Sequence, residues 1–153
     1  QGRVLTPAGK TVGEHEGAAF YTIGQRHGLG IGGGIPYYVA EKNVVTNTLV
    51  VAEGPYDEKL FKKELMATDT NWISGREPTF PLRCEARIRY RQPSQSCIVE
   101  PEAGSRKLGA ASLKVIFSEA QRAVTPGQSV VFYRRGPLDA ARGKEILGGA
   151  IIV

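Results

Sequence analysis

The chain has 153 residues, with 19 glycines, 9 prolines and a formal charge of +5, a length that holds one ordinary domain or two small ones. Hydrophobic residues make up 41% and charged residues 23%, a globular balance, and no apolar run approaches the ~20 residues of a membrane span. The basic surplus favours a polyanionic partner, while two cysteines make no disulfide framework, so a cytoplasmic setting is expected.

The chain opens on Gln1 rather than Met, and no signal-peptide pattern follows, so it reads as a piece of a longer protein. Glycine crowds the first 34 positions. Residues 18–26 (AAFYTIGQR) fit a short helix or an extended loop, and Gly24 weakens either reading. Residues 36–41 (PYYVAE) and 48–52 (TLVVA) are rich in aromatic and β-branched side chains. The polar segment 42–47 between them can turn the chain, which predicts a hairpin. Residues 54–57 mark a boundary, and a polar, helix-like patch follows over 57–63. Residues 1–60 therefore read as a small central β-rich domain.

Beyond this point strand follows strand: 65–73, 82–91, 96–100, 112–117, 129–133 and 146–153. Turn chemistry separates them at Ser74-Gly75, Gln92-Pro93-Ser94, 101–105, Thr125-Pro126-Gly127 and 135–143. Six short strands without a convincing helix predict a small closed barrel or sandwich over 61–153. The fold class is mainly β.

One strand carries the most information. Residues 82–91 (LRCEARIRYR) alternate strictly. Leu82, Cys84, Ala86, Ile88 and Tyr90 share one face; Arg83, Glu85, Arg87, Arg89 and Arg91 share the other. Same-face neighbours lie about 6.6–6.8 Å apart, so four guanidinium groups form a ladder that can follow a sugar–phosphate backbone. The plainer reading is an edge strand protected by charge. Tyr90 falls inward by alternation, yet at the strand end it can reach the rim and stack on a base.

Other motifs are weaker. Residues 28–33 formally contain G-x-G-x-x-G, but Gly34, Ile35 and Pro36 follow where a dinucleotide site needs a helix. His15 stands between Glu14 and Glu16, a setting for a general base or a metal ligand, but no nucleophile or third ligand is near in sequence. Gln25, Arg26 and His27 offer donors beside the glycine loop, for a phosphate, a partner domain or local backbone. Cys84 and Cys97 match no zinc spacing and read as two small buried thiols.

The runs Gly13-Glu14-His15-Glu16-Gly17 and Tyr21-Thr22-Ile23-Gly24-Gln25-Arg26-His27-Gly28-Leu29-Gly30 resemble the tRNA-specific 2-thiouridylase family. Tyr37-Tyr38-Val39, Asn47, Trp72, Arg89-Tyr90-Arg91-Gln92, Cys97, the run 123–128 (AVTPGQ) and Leu147-Gly148-Gly149 follow in the family's order, so the match covers nearly the whole chain. The resemblance implies a small central domain and a C-terminal barrel like those of translation factors. These follow an N-terminal domain that binds ATP with Mg and carries the chemistry, ATP-dependent sulfur transfer to C2 of the wobble uridine. It implies tRNA as partner and a sulfur-carrier protein that serves the parent enzyme. The family's PP-loop motif and catalytic cysteines have no match here, so the chain alone is expected to be non-catalytic, with no cofactor of its own. Family tRNA contacts carry over to Arg89, Tyr90, Arg91 and Gln128, and the ladder adds Arg83 and Arg87. Gln25, Arg26 and His27 form a loop expected near the active site. The insert 139–144 has no assigned role. The rival is a protein-interaction barrel that docks a sulfur carrier or another domain; a continuous basic face favours RNA and an exposed apolar patch favours protein.

Overall fold

The computed structural model describes residues 1–103, 112–134 and 144–153. Among them are ten strands and two single 3-10 turns, and none is α-helical. No helix is long and apolar enough to cross a membrane among the described residues. The chain separates into two compact units, residues 1–62 with 122–124, and residues 63–121 with 125–153.

The first unit is a four-stranded sheet in the order β2-β1-β4-β3, built from β1 (Gly2–Leu5), β2 (Thr11–His15), β3 (Tyr37–Asn43) and β4 (Thr48–Glu53). The expected hairpin is β3–β4, antiparallel with Tyr38 opposite Ala52 and Val39 opposite Val51. Its turn is closed by Asn43 Oδ1, which accepts from the Thr46 amide at 2.9 Å, and by Asn47 at φ 52°. The strands β1 and β2 carry too little alternation to show in sequence. They form because β1 pairs parallel with β4 and antiparallel with β2. Val4, Val39, Leu49 and Val51 are fully buried and pack with Ala18 and Leu29. Ala40, Ala52 and Leu60 form a second apolar cluster.

The alternatives left open for residues 18–26 resolve mostly as loop, and the helix-like patch is corrected. Of residues 18–26, only Ala18–Phe20 coil, as one 3-10 turn, and the rest is irregular. The helix-like patch at 57–63 is likewise one 3-10 turn, Glu58–Leu60, capped by Asp57 Oδ1 at 3.0 Å from the Lys59 amide. Burial of Leu60 ends that turn, and Phe61 already begins β5 (Phe61–Trp72). The glycine loop leaves Gly34 through Ile35 and Pro36 directly into β3, with no helix to receive a dinucleotide. Gly24 is stitched to β3 through its amide, which donates to the Val39 carbonyl at 2.7 Å. Its φ of +86° and the 2.9 Å from an added Cβ to Ala123 Cβ both demand glycine.

The second unit is a closed barrel in the order β10-β5-β8-β7-β6-β9. It uses β5, β6 (Leu82–Arg87), β7 (Gln95–Pro101), β8 (Leu113–Arg122), β9 (Ser129–Tyr133) and β10 (Ile146–Ile152). All six correspond to segments read as strands from the sequence, and closure decides the barrel over the sandwich. Every second residue points inward: Cys84 and Ala86 from β6, Cys97 and Val99 from β7, Leu113, Val115 and Phe117 from β8, Val130 and Phe132 from β9. Closure removes the exposed edges that an open sheet would present. Trp72 stacks on Phe132 with ring centroids 5.6 Å apart. Gly148 sits at the irregular crossing of β10, β9 and β5, where an added Cβ would strike the Asn71 carbonyl and the Trp72 ring. Residues 139–143 of the unassigned insert lie outside the described residues, as do residues 104–105 of the turn read at 101–105 and all of the turn read at 135–143.

Candidate nucleic-acid interface

The arginine-bearing segment does not stay a strand. Pairing of β6 stops at Arg87, and residues 88–94 form the loop to β7. The register explains this: Ala86 already faces Gln95, so the intervening residues must turn the chain. Ile88 stays buried and roots the loop in the core. The four-rung ladder is therefore corrected to two strand arginines, Arg83 and Arg87, and two loop arginines, Arg89 and Arg91.

The loop and the Thr125-Pro126-Gly127 turn meet at one end of the barrel. Arg87, Ile88, Arg89, Tyr90, Gly127, Gln128, Ser129, Val131 and Tyr133 line an open depression of about 650 Å³. Several bonds set this geometry. Arg87 Nη1 donates to the Tyr90 carbonyl at 3.2 Å, and its guanidinium lies 5.1 Å from the Tyr133 ring centroid. The Gln128 carbonyl accepts from the Ile152 amide at 2.8 Å, and the Gly127 amide donates to the Ile152 carbonyl at 2.7 Å. Tyr90 is 91% exposed, so it lies at the rim and not in the core. Arg87 Nε and Gln128 Oε1 are buried without a hydrogen-bond partner.

Five of the six residues named from sequence as tRNA contacts thus share a loop or a depression: Arg87, Arg89, Tyr90 and Gln128 line it, and exposed Arg91 continues the same loop. Arg83 is separate. It lines another depression with Trp72, Ile73, Arg76, Glu77 and Arg134. Sequence reading missed Tyr133, although alternation along 129–133 puts it on the outward face with Ser129 and Val131. It also missed what happens to Glu85, whose Oε1 takes Lys144 Nζ at 2.8 Å while the same ammonium reaches Ser94 Oγ at 2.6 Å. The one acid inside the arginine run is thereby occupied by a lysine.

The glycine loop holds a second open depression, about 690 Å³, lined by residues 26–37. Exposed Arg26 and His27 border it. Gln25 is engaged locally: its Oε1 accepts from the Thr22 amide at 3.0 Å and its Nε2 donates to the His27 carbonyl at 2.9 Å. His15 is buried edge-on to Tyr21, with centroids 5.5 Å apart, and neither ring nitrogen has a partner. Cys84 and Cys97 are buried in the barrel. No group of three His, Cys, Asp or Glu side chains is arranged to hold a metal ion among the described residues.

Residues 62–152 match the family described as the aminomethyltransferase beta-barrel domain, and residues 1–53 match the tRNA methyl transferase PRC-barrel domain. Fold and profiles together define a two-part β module of the tRNA-modification class. Over 99% of its length the chain is 46% identical to the tRNA-specific 2-thiouridylase MnmA of Alkalilimnicola ehrlichii. Over the same share it is 43% identical to that of Marinobacter nauticus and 46% to that of Geobacillus thermodenitrificans. It belongs to the tRNA-specific 2-thiouridylase family, over the family's middle and C-terminal domains. The chain spans 39%, 36% and 37% of these three relatives.

Proposed function

We propose that this chain is the tRNA-gripping portion of a tRNA 2-thiouridylase acting in the cytoplasm. The barrel holds tRNA while another domain of the parent carries out ATP-dependent sulfur transfer to C2 of the wobble uridine. The observation that carries the reading is the depression where Arg87, Arg89, Tyr90, Gln128 and Tyr133 converge. Arginine forks suit phosphate oxygens, and an exposed tyrosine among them suits an unstacked base. Phosphate contacts of this kind set register and carry little sequence information.

In this reading ATP and Mg are held, and the chemistry is carried, by another domain of the parent enzyme. A sulfur-carrier protein would serve the parent enzyme.

The test is an Arg89→Ala/Arg91→Ala variant of the whole protein, titrated with tRNA at several salt concentrations. Binding weakens, the apparent KM for tRNA rises, and the salt dependence flattens by about one unit of slope per arginine lost. Unchanged binding in a filter or mobility-shift assay sinks the assignment. In parallel, the chain alone, given ATP and a sulfur donor, makes no 2-thiouridine. Thiolation by it would place chemistry within these residues after all.

A further inference from the structure

The barrel holds a feature that RNA binding does not use. Antiparallel pairing sets Cys84 of β6 opposite Cys97 of β7. Both side chains point inward, 1% and 4% exposed, with their sulfurs 3.7 Å apart. The sulfurs need approach by only about 1.7 Å to reach disulfide bonding distance, within reach of side-chain rotation on directly opposed residues. We propose that Cys84 and Cys97 are a redox pair that closes reversibly into a disulfide within the barrel, with a hydroperoxide as the oxidant.

The contact also eases ionisation of one of the two thiols. With the shared proton on Cys97, its S–H donates to Cys84 and pulls that thiol below its ordinary value against the opposing effect of burial. The same contact, with burial, pushes Cys97 far up and keeps its proton on. Either sulfur can attack, since either can hold the shared proton; with that proton on Cys97, the attacker is Cys84. With hydrogen peroxide, the Cys84 thiolate bonds to one oxygen, the O–O bond breaks, and hydroxide leaves to become water with the proton Cys84 gave up. Cys97 sulfur then attacks the Cys84 sulfenic sulfur. The S–O bond breaks, the S–S bond forms, and hydroxide departs as a second water with the Cys97 proton. Two electrons pass from the two sulfurs to one peroxide.

Placement gives the bond its consequence. The two cysteines sit near the base of the β6–β7 hairpin, and the loop between the strands is the one that carries Arg89, Tyr90 and Arg91. A disulfide there closes a short ring and stiffens that loop. Formation of the bond does not depend on the RNA assignment. Only its effect on binding does.

The experiment treats the whole folded protein with hydrogen peroxide, blocks remaining thiols under denaturing conditions, and maps tryptic peptides by mass. The expected product is peptide 84–87 joined to peptide 92–106, at a mass two hydrogens below the sum, and separated again by dithiothreitol. The apparent Tm of the barrel rises by about 10 °C on oxidation. In Cys84→Ser the linkage is absent and Cys97 is recovered with its blocking group; Cys97→Ala gives the reciprocal result. Recovery of both thiols blocked after oxidation overturns the proposal. So does irreversible oxidation of either cysteine without linkage, or linkage only between separate molecules.

Discussion

Arg87 is placed to hold the loop between β6 and β7 in shape as well as to supply charge, and that division can be measured. Its Nη1 bond to the Tyr90 carbonyl crosses the start of the loop, and its guanidinium stacks against Tyr133 of β9. A charged hydrogen bond contributes about 1.5–3 kcal/mol when well shielded, and the exposed setting of this one brings it down to about 1 kcal/mol. The ring contact adds about 0.5–1 kcal/mol. Arg87→Ala should therefore cost about 1.5 kcal/mol, a fall in Tm of about 6–12 °C for a barrel of this size. Thermal unfolding by circular dichroism reads it directly. The sharper assay is a double-mutant cycle with Tyr133→Leu, where the pair should couple by about 0.5–1 kcal/mol. Arg87→Lys keeps the charge but not the planar fork, and should recover less than half of the lost stability. Additivity within about 0.3 kcal/mol would refute the stacking, and an unchanged Tm in Arg87→Ala would refute the brace altogether.

Three further outcomes follow from local geometry. Gly148→Ala should destabilise the barrel by about 2–3 kcal/mol in urea unfolding, because the new methyl group meets the Asn71 carbonyl and the Trp72 backbone rather than a flexible side-chain tip. Gly24→Ala should cost the first unit about 1–3 kcal/mol, combining a φ of +86° with crowding against Ala123, and hydrogen exchange at the Gly24 and Val39 amides should report the loosening. Asp57 is held below the usual carboxylate value, chiefly by the Lys59 backbone amide, so its contribution is present above about pH 4 and lost as pH falls through the lower folded value. Asp57→Asn keeps a capping oxygen and should lack that component of acid unfolding in a pH titration of stability.

The barrel was legible because its chemistry is local. Strands such as β9 alternate in and out, Gly and Pro mark the turns, and each signal lies within a few residues. What alternation could not show was where pairing stops. The run 82–91 alternates to its end, yet the partner strand begins at Gln95, and that register takes Arg89, Tyr90 and Arg91 out of the sheet. The strands β1 and β2 were illegible for a related reason. GRVL and TVGEH have little periodicity of their own, and β1 owes its place to a parallel partner, β4, more than 40 residues away. Within the candidate site, charge was readable and company was not. Resemblance alone grouped Gln128 with Tyr90, and nothing in sequence brings Lys144 onto Glu85.

The displaced arginines change what the interface can do. On a flat strand, four like charges at fixed spacing repel one another, and the strand cannot adjust to a curved backbone. A seven-residue loop lets Arg89 and Arg91 spread apart and adapt, but it adds ordering entropy to be overcome on binding. The protein restrains that cost at the loop's roots. Ile88 is buried, Arg87 fastens to the Tyr90 carbonyl and Tyr133, and Lys144 ties Glu85 to Ser94 across the hairpin. The loop is thus anchored at its base, with charge and one aromatic ring left outward at its tip. Under the proposed function, that arrangement suits a partner whose contour varies while its charge does not, as a phosphate backbone with an unstacked base would. Weakening the anchors should therefore reduce affinity even when every cation at the tip is kept.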